Sequence, residues 1–182
     1  MLFRSAGYIL IGFVTGGPLG IQGMMFYILA YILMNLGAFG CVVLISNAIK
    51  TDRIEEYSGL SKRAPVLAFL LTVFLLSLAG IPPLAGFFGK FLVFAAAIQS
   101  RYYLLAVAGV VNSVLAIYYY VKVIKFMYLE EPRAGIAAYK QPVFSAAGTV
   151  AVKLALAIAL IGILAAGVFP GFFIGWISAS LL

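Results

Sequence analysis

The stretch AGIPPLAGFFGKFLVF, Ala79–Phe94, holds two prolines, three glycines and one lysine inside a run otherwise apolar enough to cross a membrane. The lysine, Lys90, is the side chain that could do chemistry there. An ammonium near the centre of a bilayer costs at least about 2.5–3.5 kcal/mol. Desolvation favours the neutral form of an amine, so a lysine in that position can load and release a proton. Arginine would stay charged, whereas lysine keeps the switch available. Lys90 is therefore a candidate proton carrier. The alternative is structural: the side chain snorkels to the interface, or pairs with a carboxylate as a lock. All five acidic residues lie in polar loops. An intramembrane carboxylate partner would have to come from another chain or from sequence outside this one.

Other chemistries are poorly supplied. The chain has no histidine and a single cysteine, Cys41, which sits in an apolar run. That removes the commonest general base and a Cys/His metal site. There is no GxGxxG, P-loop or CxxC motif, so no metal site and no bound cofactor is expected in this chain.

The prolines explain how Lys90 would be positioned. Two in a row remove two backbone donors and clash with the preceding turn, and the residue before a proline is driven out of the helical region. With Gly80 and Gly86 on either side, the helix is expected to break near Ile81, Pro82 and Pro83, leaving half-helices at about 65–80 and 86–98 with Lys90 one turn into the second. Free backbone groups in lipid are tolerated only where protein or a water-filled cavity satisfies them. Discontinuous helices of this kind line the ion sites of many transporters.

Polar side chains within the apolar runs are Asn35, Ser77, Gln99, Asn112, Ser113 and the triplet Tyr118-Tyr119-Tyr120. Ser77, Asn112, Ser113, Tyr118 and Tyr119 could line a proton path. They could equally make interhelix hydrogen bonds, worth about 0.6 kcal/mol on average. The tyrosines also fit an interfacial belt, because Lys122 and Lys125 follow directly. Those two lysines and Lys153 read as surface anchors, and Asp52, Arg53, Glu55 and Glu56 as a solvated face.

Of 182 residues, 65% are hydrophobic and 9% charged, with a mean hydropathy of +1.18. Soluble domains are nearer a quarter charged, so the bilayer is the expected solvent. The net charge of +7 does not point to nucleic acid, since the basic residues sit at the ends of apolar segments. The whole chain, 1–182, reads as one all-α integral membrane domain fragment. Its spans are expected at about 6–14, 23–45, 65–98, 102–122 and 150–168. The first is short and reads as the tail of a helix whose start is missing, ending in a turn cluster at Thr15–Gly20. Met1–Phe13 does not read as a signal peptide, because no polar domain follows. The third, at roughly 34 residues and 51 Å, is too long for a ~30 Å core unless broken. Ten of the twelve basic residues fall on the face of the N-terminus and the two polar loops, against Arg101 on the other, with Lys90 on neither. Loops 46–63 and 123–149 are thus expected in the cytoplasm and the C-terminus outside.

The segments SAGYILIGF, FYILAYILMNLGAFG, YSGLSKRAPVLAFLLTVFLLSLAGIPPLAGFFGKFLVF, NSVLAIYYYVKVIKFMY and GVFPGFF resemble, in order, the C-terminal part of the subunit N (subunit 2) family of respiratory complex I, NADH-quinone oxidoreductase. The resemblance implies the C-terminal helices of an antiporter-like bundle, from part of the family's tenth helix to its fourteenth, with residues 65–98 as the discontinuous twelfth. It implies that Lys90 matches a lysine proposed to exchange protons with the periplasmic side. It further implies a membrane subunit of a translocase that takes part in proton translocation coupled to quinone reduction and performs no redox chemistry itself. Its partners would be the antiporter-like subunit M, the small subunit K and the lipid of a bacterial inner membrane. The family's upstream glutamate–lysine pair and central lysine have no counterpart here, and MLFRSAGY departs from the family's approach to this segment. On that basis the chain reads as a truncated or split gene product. Two other functions stay open: a subunit of a sodium/proton antiporter or membrane-bound hydrogenase, and a non-transporting structural or assembly fragment.

Overall fold

A computed structural model describes residues 2–132 and 150–180, and within them the regular structure is helical, with no strand. The elements are α1 (Leu2–Thr15), α2 (Gly17–Ile49), a 3₁₀ turn (Ile54–Tyr57), α3 (Leu60–Arg63), α4 (Pro65–Ala79), α5 (Ala85–Gln99), α6 (Tyr103–Leu129), α7 (Val150–Val168) and α8 (Pro170–Ala179). Among the described residues α2, α6 and α7 are long and apolar enough to cross a membrane. α4 and α5 have 15 residues each, about 22 Å at 1.5 Å per residue. Neither spans a ~30 Å hydrocarbon core alone; they are the two halves of the broken crossing.

The helix limits depart from the sequence expectation in instructive ways. The turn cluster shrinks to Gly16 and Gly17, both with positive φ (60° and 64°). Pro18 is already in the first turn of α2, where no backbone donor is needed and its fixed φ suits the helix. α2 therefore starts at Gly17 rather than near 23. α6 continues to Leu129, well beyond 122. Lys122 and Lys125 are helical residues, and Lys125 faces Glu130 at 3.7 Å; their charge shows where the helix becomes polar, not where it ends.

Helix α2 is the hub, packing against α1, α4, α5 and α7. Its buried residues Phe26, Ala30, Met34, Cys41 and Ile45 recur at the three-to-four spacing of one helix face. Small residues set the close approaches, as expected where helices pack in lipid. Gly37 receives the ring of Phe74 from α4, and Gly23 lies against Leu92 and Val93 of α5. Outward, α6 shows Leu104, Val107, Val111 and Val114, and α7 shows Leu154, Ile158 and Ile161. Such surfaces suit hydrocarbon rather than water.

The first polar loop is more ordered than a solvated connection. Asp52, Arg53 and Glu55 are exposed, but Tyr57, Ser58 and Leu60 are buried. The Gly59 N–H donates to the Phe126 carbonyl at 3.1 Å, and Lys62 Nζ donates to both carboxylate oxygens of Glu131 at 3.0 Å. The loop thereby clasps the end of α6. Of the second polar loop, residues 133–149 lie outside the described residues, and the contribution of Arg133 and Lys140 to the orientation argument lies there with them.

Two outcomes follow from these contacts. A Cβ at Gly37 would overlap the Phe74 ring, and overpacking costs about 1–3 kcal/mol. Gly37→Val should lower the midpoint of heat inactivation in detergent; an unchanged midpoint would show that Phe74 has room to move. Burial, followed by the nearby Asp52 carboxylate and Cys41, pushes the Tyr57 phenol up to about 12 from 10.0. The docked loop holds the neutral phenol. Its attachment should be constant below pH 10 and weaken as pH rises from 10 to 12. A spin label in place of Glu55 should gain mobility over that window and stay constant in Tyr57→Phe.

Candidate functional site

The site begins where α4 stops. Gly80 takes the left-handed conformation, φ 87°, and its N–H caps the Leu76 and Ser77 carbonyls. This is the usual way to end a helix, and glycine adopts it without a Cβ penalty. Ile81 N–H also returns to the Leu76 carbonyl, at 3.1 Å. The chain then leaves the helix through Pro82 and Pro83, joined by a cis peptide bond, and a Leu84 N–H to Ile81 carbonyl bond of 3.2 Å closes the turn. The Leu78 and Ala79 carbonyls belong to the last turn of α4, whose carbonyls have no helical donor ahead of them.

Lys90 occupies that position. From the second turn of α5 its Nζ donates to the Leu78 and Ala79 carbonyls, both at 2.9 Å. The residue is 5% exposed. The carbonyl end of a helix is the negative end of its dipole, which suits a cation. Hydrogen bonds to charged groups contribute about 1.5–3 kcal/mol each, so two of them are of the size needed to offset an ammonium's mid-membrane cost. On a further side Nζ lies 4.9 Å from the centroid of the Tyr8 ring, within cation–π range. Within this chain the partners are main-chain oxygens of the preceding half-helix, which residue types do not reveal.

Two glycines bring the half-helices this close. A Cβ at Gly80 would lie 3.0 Å from Lys90 Cδ, and one at Gly86 would overlap the Ser77 carbonyl oxygen. Gly86 N–H also donates to Ser77 Oγ at 3.3 Å, so Ser77 fastens the start of α5 to the end of α4.

Tyr8 is buried, with its ring edge-to-face against Tyr27 (5.6 Å, 70°) and Phe94 (5.8 Å, 72°). Its hydroxyl is 3.0 Å from Ser113 Oγ and accepts from Asn112 Nδ2 at 3.4 Å. The structure therefore brings Lys90 and Ser77 together at the helix break, and links Asn112 and Ser113 of α6 to Lys90 through Tyr8 of α1. Tyr118 and Tyr119 stand exposed on α6, and Gln99 is exposed at the end of α5. Tyr120 is buried instead. It lines a cavity of about 190 Å³ with Ser5, Asn35, Asp52, Tyr57 and Leu78. Asn35 bonds back to the Tyr31 carbonyl at 2.7 Å. Tyr8 and Tyr27 escaped the sequence reading, because an aromatic within an apolar run resembles any core residue.

The geometry allows the lysine to change charge without moving. An ammonium has three donors, and the carbonyls use two. The neutral amine keeps two N–H bonds, so both contacts survive loss of the third proton.

The described family of NADH:quinone oxidoreductase/Mrp antiporter transmembrane proteins matches residues 4–116, a span that contains Tyr8, Ser77, Lys90, Asn112 and Ser113. Among individual proteins, NAD(P)H-quinone oxidoreductase subunit 2 of Rippkaea orientalis is 50% identical over 129 residues, 71% of this chain and 25% of the relative. The subunit 2 of a Synechococcus species is 43% identical over 167 residues, 90% of this chain and 32% of the relative. The chain thus spans between a quarter and a third of the length of these relatives. In three dimensions it is similar to a chain of the Mrp complex from Dietzia sp., with a TM-score of 0.80 and 25% identity over 97% of this chain and 40% of that one. It is also similar to a chain of respiratory complex I from Thermus thermophilus, with a TM-score of 0.72 and 31% identity over 93% of this chain and 36% of that one. The family match covers more than half of the sequence, includes the broken helix with its buried lysine, and agrees with both structural likenesses: the chain is an integral membrane protein that belongs to the NADH:quinone oxidoreductase/Mrp antiporter family.

Proposed function

We propose that this chain is part of a proton-translocating membrane subunit of an NAD(P)H-quinone oxidoreductase, and that Lys90 carries the proton. The observation that carries the proposal is the Lys90 Nζ, buried at the helix break and held by two carbonyls at 2.9 Å. A purely structural lock has no need of a side chain that can change charge while keeping its contacts. Ser77 fastens the break, and Asn112 and Ser113 supply the polar groups on the α6 side. The chain works beside other antiporter-like and small membrane subunits, of the kinds called M and K in complex I. It lies in a bacterial inner membrane with the Ser46–Arg63 loop in the cytoplasm. Electrons do not pass through it; redox work reaches it from its neighbours as a change in electrostatics or conformation.

A sodium/proton antiporter subunit is the second reading, favoured by the likeness to the Mrp complex over 97% of the chain. Sequence identity of 43–50% to the quinone-oxidoreductase subunits, against 25% for the Mrp chain, supports the first.

The test is proton uptake by membrane vesicles with the chain in its native assembly. Lys90→Ala and Lys90→Arg should assemble and still pass electrons to quinone. Both should translocate protons about tenfold or more slowly, since arginine does not give up its proton. Normal pumping by Lys90→Ala would sink the proposal, and recovery by Lys90→Arg would make Lys90 a fixed structural charge.

A further inference from the structure

Lys90 alone does not lead anywhere: its two bonded neighbours are backbone carbonyls, which accept but have no proton to pass on. The way out must use another group. Tyr8 presents its ring face to Nζ at 4.9 Å and its hydroxyl to α6, 3.0 Å from Ser113 Oγ. It is the residue that touches both Lys90 and the polar pair on α6. Its ring is fixed by edge-to-face contacts with Tyr27 and Phe94, and it is 2% exposed. Asn112 Nδ2 donates to the phenol oxygen, and in the Tyr8–Ser113 pair either hydroxyl can be the donor.

We propose that the Tyr8 hydroxyl relays the proton between Lys90 on α5 and Ser113 on α6. This rests on the reading of Lys90 as the carrier. In the forward step the N–H bond not used by the carbonyls breaks, and its proton passes to one bridging water. That water gives a proton to the phenol oxygen as the phenol's own hydrogen moves to Ser113 Oγ. Ser113 releases its hydrogen to a water beyond. Nζ ends with two hydrogens, every intermediate oxygen ends with the number it began with, and one positive charge has moved from α5 to the water beyond Ser113. A bridging water is the ordinary way to connect polar groups that do not touch, and the two waters are the components the protein does not supply.

Tyr8→Phe keeps the ring over Lys90 and removes only the hydroxyl. In the native assembly it should leave quinone reduction in place and slow proton translocation about tenfold. Ser113→Ala should do the same, and Ser113→Thr, which keeps a hydroxyl, should restore it. The double variant Tyr8→Phe/Ser113→Ala should be no slower than the slower single, because residues in one path do not add. Normal pumping by Tyr8→Phe, while Lys90→Ala is impaired, overturns the relay and leaves the carrier standing. Normal pumping by Lys90→Ala removes the carrier itself. Should Tyr8→Phe fail to assemble, the Ser113 pair decides: equal pumping by Ser113→Ala and Ser113→Thr overturns the relay, as would multiplied losses in the double variant.

Discussion

A single charge in an apolar medium governs this part of the chain. The Lys90 ammonium cannot be left to lipid, and among the described residues no acidic side chain sits beside it. What answers it is the backbone. Ending a helix in mid-membrane leaves carbonyls that lack donors, and such carbonyls are themselves costly in hydrocarbon. The break and the lysine each supply what the other is missing: Leu78 and Ala79 provide two acceptors, and Nζ meets both at 2.9 Å. Two features that would each be unfavourable alone become one satisfied unit. Among the described residues, no buried side-chain nitrogen or oxygen is without a hydrogen-bond partner.

The surrounding helices are arranged to keep that unit intact. Gly80 ends α4 in a conformation other residues adopt at a cost of roughly 1–2 kcal/mol, and Gly86 lets α5 start against the Ser77 carbonyl. Gly89, one residue before the lysine, makes room for Tyr27 of α2. α1 contributes Tyr8, whose ring lies 4.9 Å from Lys90 Nζ. The hub role of α2 follows. It touches both halves of the broken crossing and, through Tyr27, the ring that covers Lys90.

How much of this was legible in the sequence depends on how local each cause is. Pro82 and Pro83 act on their own backbone, so the break between the half-helices could be read to within a residue or two of Ala79 and Ala85. Lys90 stood out because a charge inside an apolar run is conspicuous whatever the fold. Pro18 misled because the same ring that stops a helix from within starts one at its first turn. The lysines of α6 misled because polarity marks the membrane boundary, not the helix boundary. Tyr8 was hidden for a different reason. Its hydroxyl partner Ser113 is 105 residues away, and nothing in the neighbourhood of either residue announces the other. The carbonyls of Leu78 and Ala79 were hidden most deeply, because every residue has one and only geometry selects which are free.

The unit at the break separates holding from switching. Had the lysine been paired with a carboxylate, loss of its proton would have removed the attraction that positions it. Carbonyl oxygens accept from an amine as well as from an ammonium, more weakly without the charge. Lys90 can therefore stay where it is in both states, while the electrostatic difference falls on the carbonyls and on the side facing Tyr8. An aromatic face interacts with a cation and gains little from a neutral amine, so the ring is a further neighbour whose interaction depends on charge. Its hydroxyl is bonded to α6 and its edge is packed on α2 and α5, so that dependence reaches three helices. The backbone holds the side chain in both states, and the aromatic ring responds to its charge.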